Sequence, residues 1–292
     1  MSKTLVTGAL GFVGGELVRS LMSDARNVSL LVREGRQGAA RTKFPNVSEI
    51  LTLRELIEEP NRRTFETIFH LATVYVYDNS IRDVSNLVDG NITLPATLAD
   101  VAVRWGNPVS FVNVSTFMQH FEGHEYRPTC LYAATKKAAE DVLAYYGNAH
   151  SDFTVGHLVF PHVYGEGDTR MKLLNLLINA SKSKLNLQLG SGKQLLDLVH
   201  VSDAVSALRS LEHLGTGRWS IGGGEHYSTR ELADLFSEIS GSKLDISFDP
   251  MKDRQFDTFK TWDTAPRLPN WAPSVDLKTW ISDRFKEPNN AI

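Results

Sequence analysis

The chain has 292 residues, 31 Lys+Arg against 34 Asp+Glu, a net charge of −3 and 42% hydrophobic content. That composition describes a soluble globular protein, one large domain or a domain with a smaller lobe. It carries no run of one charge that would point to nucleic acid or an anionic membrane as partner.

A single cysteine, Cys130, excludes an internal disulfide framework and a cysteine-based zinc cluster. No apolar run approaches the roughly 18 residues of a membrane span. The start "MSKTLVTG" enters a strand at once with no signal peptide ahead of it, so a cytoplasmic location is expected. In chain order, "TLVTG" (4–8) predicts a buried strand and "FVGGELVRSLMSD" (12–24) a helix. The runs "VSLLVR" (28–33), "TIFHLA" (67–72), "SFVNVS" (110–115) and "TVGHLVF" (154–160) predict further strands. Helices are expected over 91–106 and 131–147, each stopping near a glycine. Strands alternating with helices imply βαβ units and an α/β fold with a doubly wound parallel sheet, whose ligands sit at the carboxyl ends of the strands. The second half is less regular, with helical patterns over 169–184 and after Ser228 or Thr229. The last 50 residues, rich in Pro, Asp and Trp, read as a loop-rich cap.

Gly8, Gly11 and Gly14 lie in a G-x-x-G-x-x-G turn between the first strand and the first helix. That is the context a dinucleotide-binding turn needs: a tight turn, close approach of backbone N–H groups to a pyrophosphate, and close helix–strand packing. The second strand then ends near the adenosine ribose, where an acid commonly grips the 2′-hydroxyl. Here the residue is Arg33, with Arg36 close by, which favours a 2′-phosphate and hence NADP; the adjacent Glu34 leaves NAD possible.

Tyr132 and Lys136, four apart on one expected helix, face the same way. A nearby ammonium lowers a phenol's pKa, so Tyr132 is expected to exchange a proton with a carbonyl or alcohol while hydride moves. Lys136 is also placed to hold the nicotinamide ribose. "NVST" (113–116) ends a strand where substrate should lie, and Thr116 offers a hydroxyl to the same substrate oxygen.

Together these residues resemble the extended short-chain dehydrogenase/reductase family, the NAD(P)-dependent epimerase/dehydratase group, over nearly the whole chain. "TGALGFVG" is similar to its cofactor turn, "FHLA" (69–72) to its fourth strand, and "HVYGEGD" (162–168) to its N-V-Y-G-P-G-D. "LDLVHVSDAV" (196–205) resembles its R-D-F-V-H-V-D-D-V, and "DRQFD" (253–257) its R-P-G-D element. The resemblance implies a Rossmann domain over 1–160 and about 196–217, with a smaller mixed substrate-binding lobe over about 161–195 and 218–292. It implies Thr116, Tyr132 and Lys136 as catalytic residues, with Asn91, which matches the asparagine opening the following helix, supporting a proton path. Phe12, Val13, Leu71, Ala72, Thr73, Val114 and Pro161 join Gly8, Gly11, Gly14, Arg33, Tyr132 and Lys136 along the cofactor. Substrate contacts fall on Thr116, Phe117, Met118, His162 and Arg254, the last at a diphosphate; no metal is expected. The family mostly acts on nucleotide-diphosphate sugars, and its members commonly dimerise through the helices that correspond to 91–106 and 131–147.

Dehydratases of this family place an Asp-Glu pair directly after the threonine. Here the pair is Phe117–Met118, which moves no proton and argues against 4,6-dehydration. Three readings remain: an NADPH-dependent reductase of a 4-keto-6-deoxy nucleotide sugar, favoured by Arg33; an epimerase that keeps its cofactor; and a reductase of another small carbonyl compound. A cofactor sensor without turnover, or an assembly protein, would not need both Tyr132 and Lys136. Leu196 and Val159 stand where the family commonly has arginine, and His162 where it has asparagine, so the diphosphate site is expected to be weaker. The short loop between Thr116 and Tyr132 should leave the sugar less covered, with Phe117, Met118 and Phe121 making that side apolar. His70 reads as a packed strand histidine, and His120 and His124 as solvated loop residues, with contact to substrate the alternative.

Overall fold

The computed structural model describes residues 3–286 apart from Asn61 and Lys184. Its main sheet has seven parallel strands: β1 (Lys3–Thr7), β2 (Asn27–Leu31), β3 (Glu49–Leu51), β4 (Thr67–His70), β5 (Val109–Thr116), β6 (Phe153–Phe160) and β10 (Gly217–Ser220). Their order is β10-β6-β5-β4-β1-β2-β3. Strands β1, β4 and β6 are buried on both faces along nearly their whole length, which is why they read as continuous apolar runs. Helices α1 (Phe12–Ser23) and α8 (Val201–Leu211) cover one face, where Leu17, Leu21 and Leu208 pack with Val112 and Leu158. Helices α5 (Leu94–Ala102) and α6 (Leu131–Ala149) cover the other, where Leu98 and Leu143 meet Phe111 and Val155.

The chain leaves β1 toward β2 and β3, then returns to start β4 on the other side of β1. That reversal opens a crevice at the carboxyl ends of the strands, where a doubly wound sheet takes its ligand. Gly8, Leu71–Thr73 and Pro161 follow strands of this group and Thr116 ends one, so they meet at one edge.

The smaller part is built on β7 (His162–Tyr164), β9 (Leu195–His200) and β11 (His226–Ser228), in the order β11-β9-β7, with a two-stranded pair of β8 (Leu187–Leu189) and β12 (Ile246–Phe248). Helices α7 (Leu173–Ser183), α9 (Thr229–Ser240) and α10 (Leu277–Lys286) close its core around Leu177, Phe236 and Trp280. Within 196–217, α8 packs on α1 and β10 follows it into the main sheet, but β9 pairs with β7 and β11 in the small one.

Two helix boundaries differ from expectation. The helix expected over 91–106 begins at Asp83 as α4 (Asp83–Val88), passes through a π turn at Asp89–Thr93 and ends at Ala102. Pro95 has no N–H to give the preceding turn, and the helix widens there instead of breaking. Helix α6 runs through Gly147 to Ala149, so that glycine is not its cap.

Candidate active site

The glycine turn fits a dinucleotide. Gly8 has φ +76°, and a Cβ there would lie 2.6 Å from Ala72 N and from Leu71 C, backbone atoms that cannot step aside. A Cβ on Gly14 would overlap the Gly8 carbonyl oxygen. Gly11 caps α1 with no side-chain hydrogen bond, so the first-turn N–H groups, Phe12 and Val13 among them, face the crevice edge without a capping side chain. Thr7 braces the neighbouring segment: its hydroxyl accepts from Ala72 N at 3.0 Å and is hydrogen-bonded to His70 Nδ1 at 3.0 Å. His70 itself is fully buried and kept neutral, its pKa pushed down to about 3 by burial. That makes it a packed strand residue. Val114 sits in β5 opposite Leu158 of β6.

Arg33 lies two residues beyond β2, exposed, in a turn closed by Arg36 N donating to Arg33 O at 3.0 Å. Glu34, the competing acid, pairs with Arg54 at 3.4 Å. One contact had no local signal: Lys43, on α2 (Gln37–Lys43), reaches back to donate to Leu10 O in the glycine turn at 3.3 Å.

Tyr132 and Lys136 occupy successive turns at the start of α6, 9% and 2% exposed. The phenol lies beside the hydroxyls of Thr73 and Thr116. Burial pushes its pKa up to about 12, opposed in part by those two hydroxyls. The lowered phenol pKa expected from the sequence is not found in this structure, because loss of solvent around the phenolate raises it. Lys136 is itself brought down to about 8 by burial, opposed by Glu140 one turn further on. Thr116 caps the turn that follows it. Its oxygen accepts from Met118 N at 3.3 Å, capping the turn Phe117–Gln119, and stays next to the phenol. The ring of Tyr75, a residue missed in the sequence, meets Tyr132 edge-on at 4.9 Å.

Asn91 does not open a helix; it sits inside the π turn, 1% exposed. Its Oδ1 accepts from Thr73 Oγ1 (2.9 Å) and Val74 N (2.8 Å), and its Nδ2 donates to Val74 O (2.9 Å) and Thr135 Oγ1 (3.0 Å). Thr135 in turn donates to Tyr132 O at 2.8 Å. All four bonding positions of the amide are used, so in this structure Asn91 pins the segment after β4 to the Tyr132 turn.

A cleft opens between the sheet edge and the smaller part. Phe117, Val159, Pro161, His162, Ile221 and Trp262 supply its apolar walls. His162 packs against Phe117 with centroids 4.4 Å apart and planes 45° from parallel, and burial brings its pKa down to about 4, so an anion there meets an uncharged imidazole. Met118 packs within its own loop, its carbonyl accepting from Thr129 N at 2.9 Å, and is not among the cleft walls. Arg254 lies outside this cleft, its guanidinium 5.1 Å from the Tyr77 ring. Cations that the motifs did not reveal line the cleft instead: Lys260 and Arg267.

The loop before Tyr132 covers more than its length suggested. Its turns at Phe117–Gln119 and Phe121–Gly123 dock on residues 256–262: Phe121 meets Phe256 at 5.4 Å, and Phe259 N donates to Glu122 Oε1 at 2.7 Å. His120 is 4% exposed and lies flat on Trp262, so it is a wall of this contact and not a solvated loop residue.

The sequence profile of the NAD dependent epimerase/dehydratase family matches residues 4–222. Among curated proteins, the chain is 24% identical over 298 residues to CDP-abequose synthase of Salmonella typhimurium, covering 97% of each. It is 29% identical over 300 residues to dTDP-glucose 4,6-dehydratase of Streptomyces griseus, covering 94% of this chain and 90% of that one. Among solved structures it resembles MoeE5 in complex with UDP-glucose and NAD, at 26% identity, a TM-score of 0.79 and 97% of each chain. With residues 4–222 of 292 matched in one continuous run over this fold, the chain belongs to the NAD-dependent epimerase/dehydratase family, the extended short-chain dehydrogenase/reductases.

Proposed function

We propose that the protein is an NADP-dependent reductase of a keto-deoxy nucleotide-diphosphate sugar of the 4-keto-6-deoxy hexose type. The observation that carries the reading is the pairing of a buried Tyr132 phenol with the Thr116 hydroxyl, followed by Phe117–Met118 where elimination would need acids. The phenol and the Thr116 hydroxyl lie side by side, so one substrate oxygen placed there accepts from both. The bound nicotinamide supplies the hydride. Tyr132 donates its proton to the substrate oxygen, and Thr116 donates a second hydrogen bond to the same atom. The Lys136 ammonium stabilises the phenolate left behind and faces the ribose. Arg33 takes the 2′-phosphate, with Glu34 drawn to Arg54. The named relatives all act on or hold nucleotide sugars by their names, which supports that substrate class. Lys260 and Arg267 are the nearest cations for its diphosphate in the cleft, with Arg254 at Tyr77 outside it. We further propose a homodimer through α4–α5 and α6, whose exposed Val84, Val88 and Tyr145 give those helices an unburied apolar surface.

A second reading, an epimerase that keeps its cofactor, is favoured by the likeness to MoeE5, whose structure holds UDP-glucose and NAD. Mixing the protein with NADPH or NADH and a panel of 4-keto-6-deoxy nucleotide sugars separates the two. Stoichiometric loss of absorbance at the reduced-nicotinamide band supports the reductase. Interconversion of sugars without net consumption supports the epimerase.

A further inference from the structure

Glu140 is buried, 3% exposed, one helical turn beyond Lys136. Ser115 Oγ and Gln119 Nε2 donate to its Oε1, the latter at 3.1 Å, and Arg218 Nε, from β10, donates to its Oε2 at 2.9 Å. From β6, His157 faces it as a neutral ring that is bonded to Asn113 at 3.1 Å. Arg218 does not stop at Glu140. Its Nη2 donates to Gln119 Oε1 at 2.8 Å and to His120 Nε2 at 2.9 Å. The other nitrogen of His120 is 3.2 Å from the carbonyl of His124, so the ring is the neutral tautomer with its proton on Nδ1. That ring stacks on the Trp262 indole with centroids 3.4 Å apart and planes 8° from parallel. The guanidinium lies 5.0 Å from the same indole, and the indole N–H is tied to Glu125 at 3.1 Å. Trp262 and His120 are both walls of the cleft.

A buried ion pair is weak grounds for stability, since desolvation offsets its attraction. What needs explaining is the fork. Lysine would satisfy Glu140, but only a planar guanidinium reaches a carboxylate, an amide oxygen and an imidazole nitrogen at once while lying near an aromatic ring. Arg218 touches neither Tyr132 nor Lys136 through any hydrogen bond among the described residues, yet its partners lie one turn from Lys136 at one end and on the cleft wall at the other. We propose that Arg218 is a positioning residue that couples the catalytic helix to Trp262, so that one buried cation fixes both the Lys136 turn and the wall of the sugar-binding cleft. This rests on the reading of the cleft as the substrate site.

The test is Arg218→Lys, which keeps a charge against Glu140 while losing the fork. Trp262 emission is isolated by subtracting the Trp262→Phe spectrum, and its quenching by acrylamide is measured without any substrate. NADP(H) affinity is measured by fluorescence titration, and KM and kcat on whichever nucleotide sugar turns over. The expected result is a quenching constant for Trp262 raised at least twofold, a KM raised about tenfold, and cofactor affinity within twofold of the parent. A lowered melting temperature with Trp262 as protected as before would overturn the proposal and leave Arg218 a structural ion pair. If Arg218→Lys does not fold, Arg218→Met combined with Glu140→Gln removes both buried charges and is judged by the same two outcomes. Failure of the reductase reading shows separately, as absence of turnover with keto-sugars while the Trp262 result stands.

Discussion

Lys136 should cost the folded protein stability, and the amount follows from its burial. The side chain is 2% exposed, and its pKa is brought from 10.5 to about 8, with burial the largest cause and Glu140 opposing it. At 1.36 kcal/mol per pKa unit, 10.5 minus about 8 comes to about 3 kcal/mol. The sign follows from proton counts. Between about pH 8 and 10.5 the unfolded chain binds the proton and the folded chain has released it, so stability rises with pH through that window. Below about pH 8 both states are protonated and the full penalty is present. Lys136→Met fills the same space without a charge. It should therefore be about 3 kcal/mol more stable than the parent at pH 7, a gain that shrinks as pH rises to 10. Urea unfolding of both proteins at pH 7, 8.5 and 9.5 measures this. Lys172, also lowered to about 8 by burial, titrates in both proteins and cancels in the difference. A Lys136→Met variant no more stable than the parent at pH 7 would refute the reasoning. A residue that destabilises its own fold is expected at a site kept for chemistry.

Gly14→Ala drives a Cβ into the Gly8 carbonyl, so it should cost about 1–3 kcal/mol and weaken cofactor binding more than tenfold; an unchanged cofactor titration would contradict the cradle. Glu212→Ala removes the acceptor of both 2.8 Å bonds from Arg26 Nη1 and of the 2.5 Å bond from Thr67, so it should cost about 3 kcal/mol. The urea midpoint should fall with its slope unchanged. Arg33→Asp should lower the preference for NADPH over NADH by roughly tenfold or more, since a hydrogen bond to a charged group contributes about 1.5–3 kcal/mol. Equal affinities before and after would make Arg33 a surface residue.

The sheet was legible because buried parallel strands write themselves as short apolar runs, and the cofactor turn because Gly8 and Gly14 sit where a Cβ has no room. Tyr132, Lys136 and Thr116 were legible because a four-residue spacing and a strand end bring them together locally. What was not legible depends on partners far apart in the chain. Arg218 meets Glu140 and His120 from 78 and 98 residues away, and Phe259 meets Glu122 across 137. No spacing rule links such residues, so the docking of the loop after Thr116 on residues 256–262 was not legible. The Tyr132 pKa was misjudged for a related reason. The helical spacing showed the nearby ammonium but not the depth of burial, which decides the outcome. Asn91 matches the family's helix-opening asparagine, yet it lies inside a π turn of a helix that begins at Asp83.

The most direct test of the central claim is Tyr132→Phe, assayed for cofactor binding and for turnover side by side. The ring is kept, with its packing on Tyr75, and only the transferable proton is lost. NADP(H) affinity should stay within about twofold, while turnover of the keto-sugar falls by roughly 10²–10⁴, the range for a general acid. A variant that binds the cofactor and retains most of its turnover would contradict Tyr132 as the proton donor.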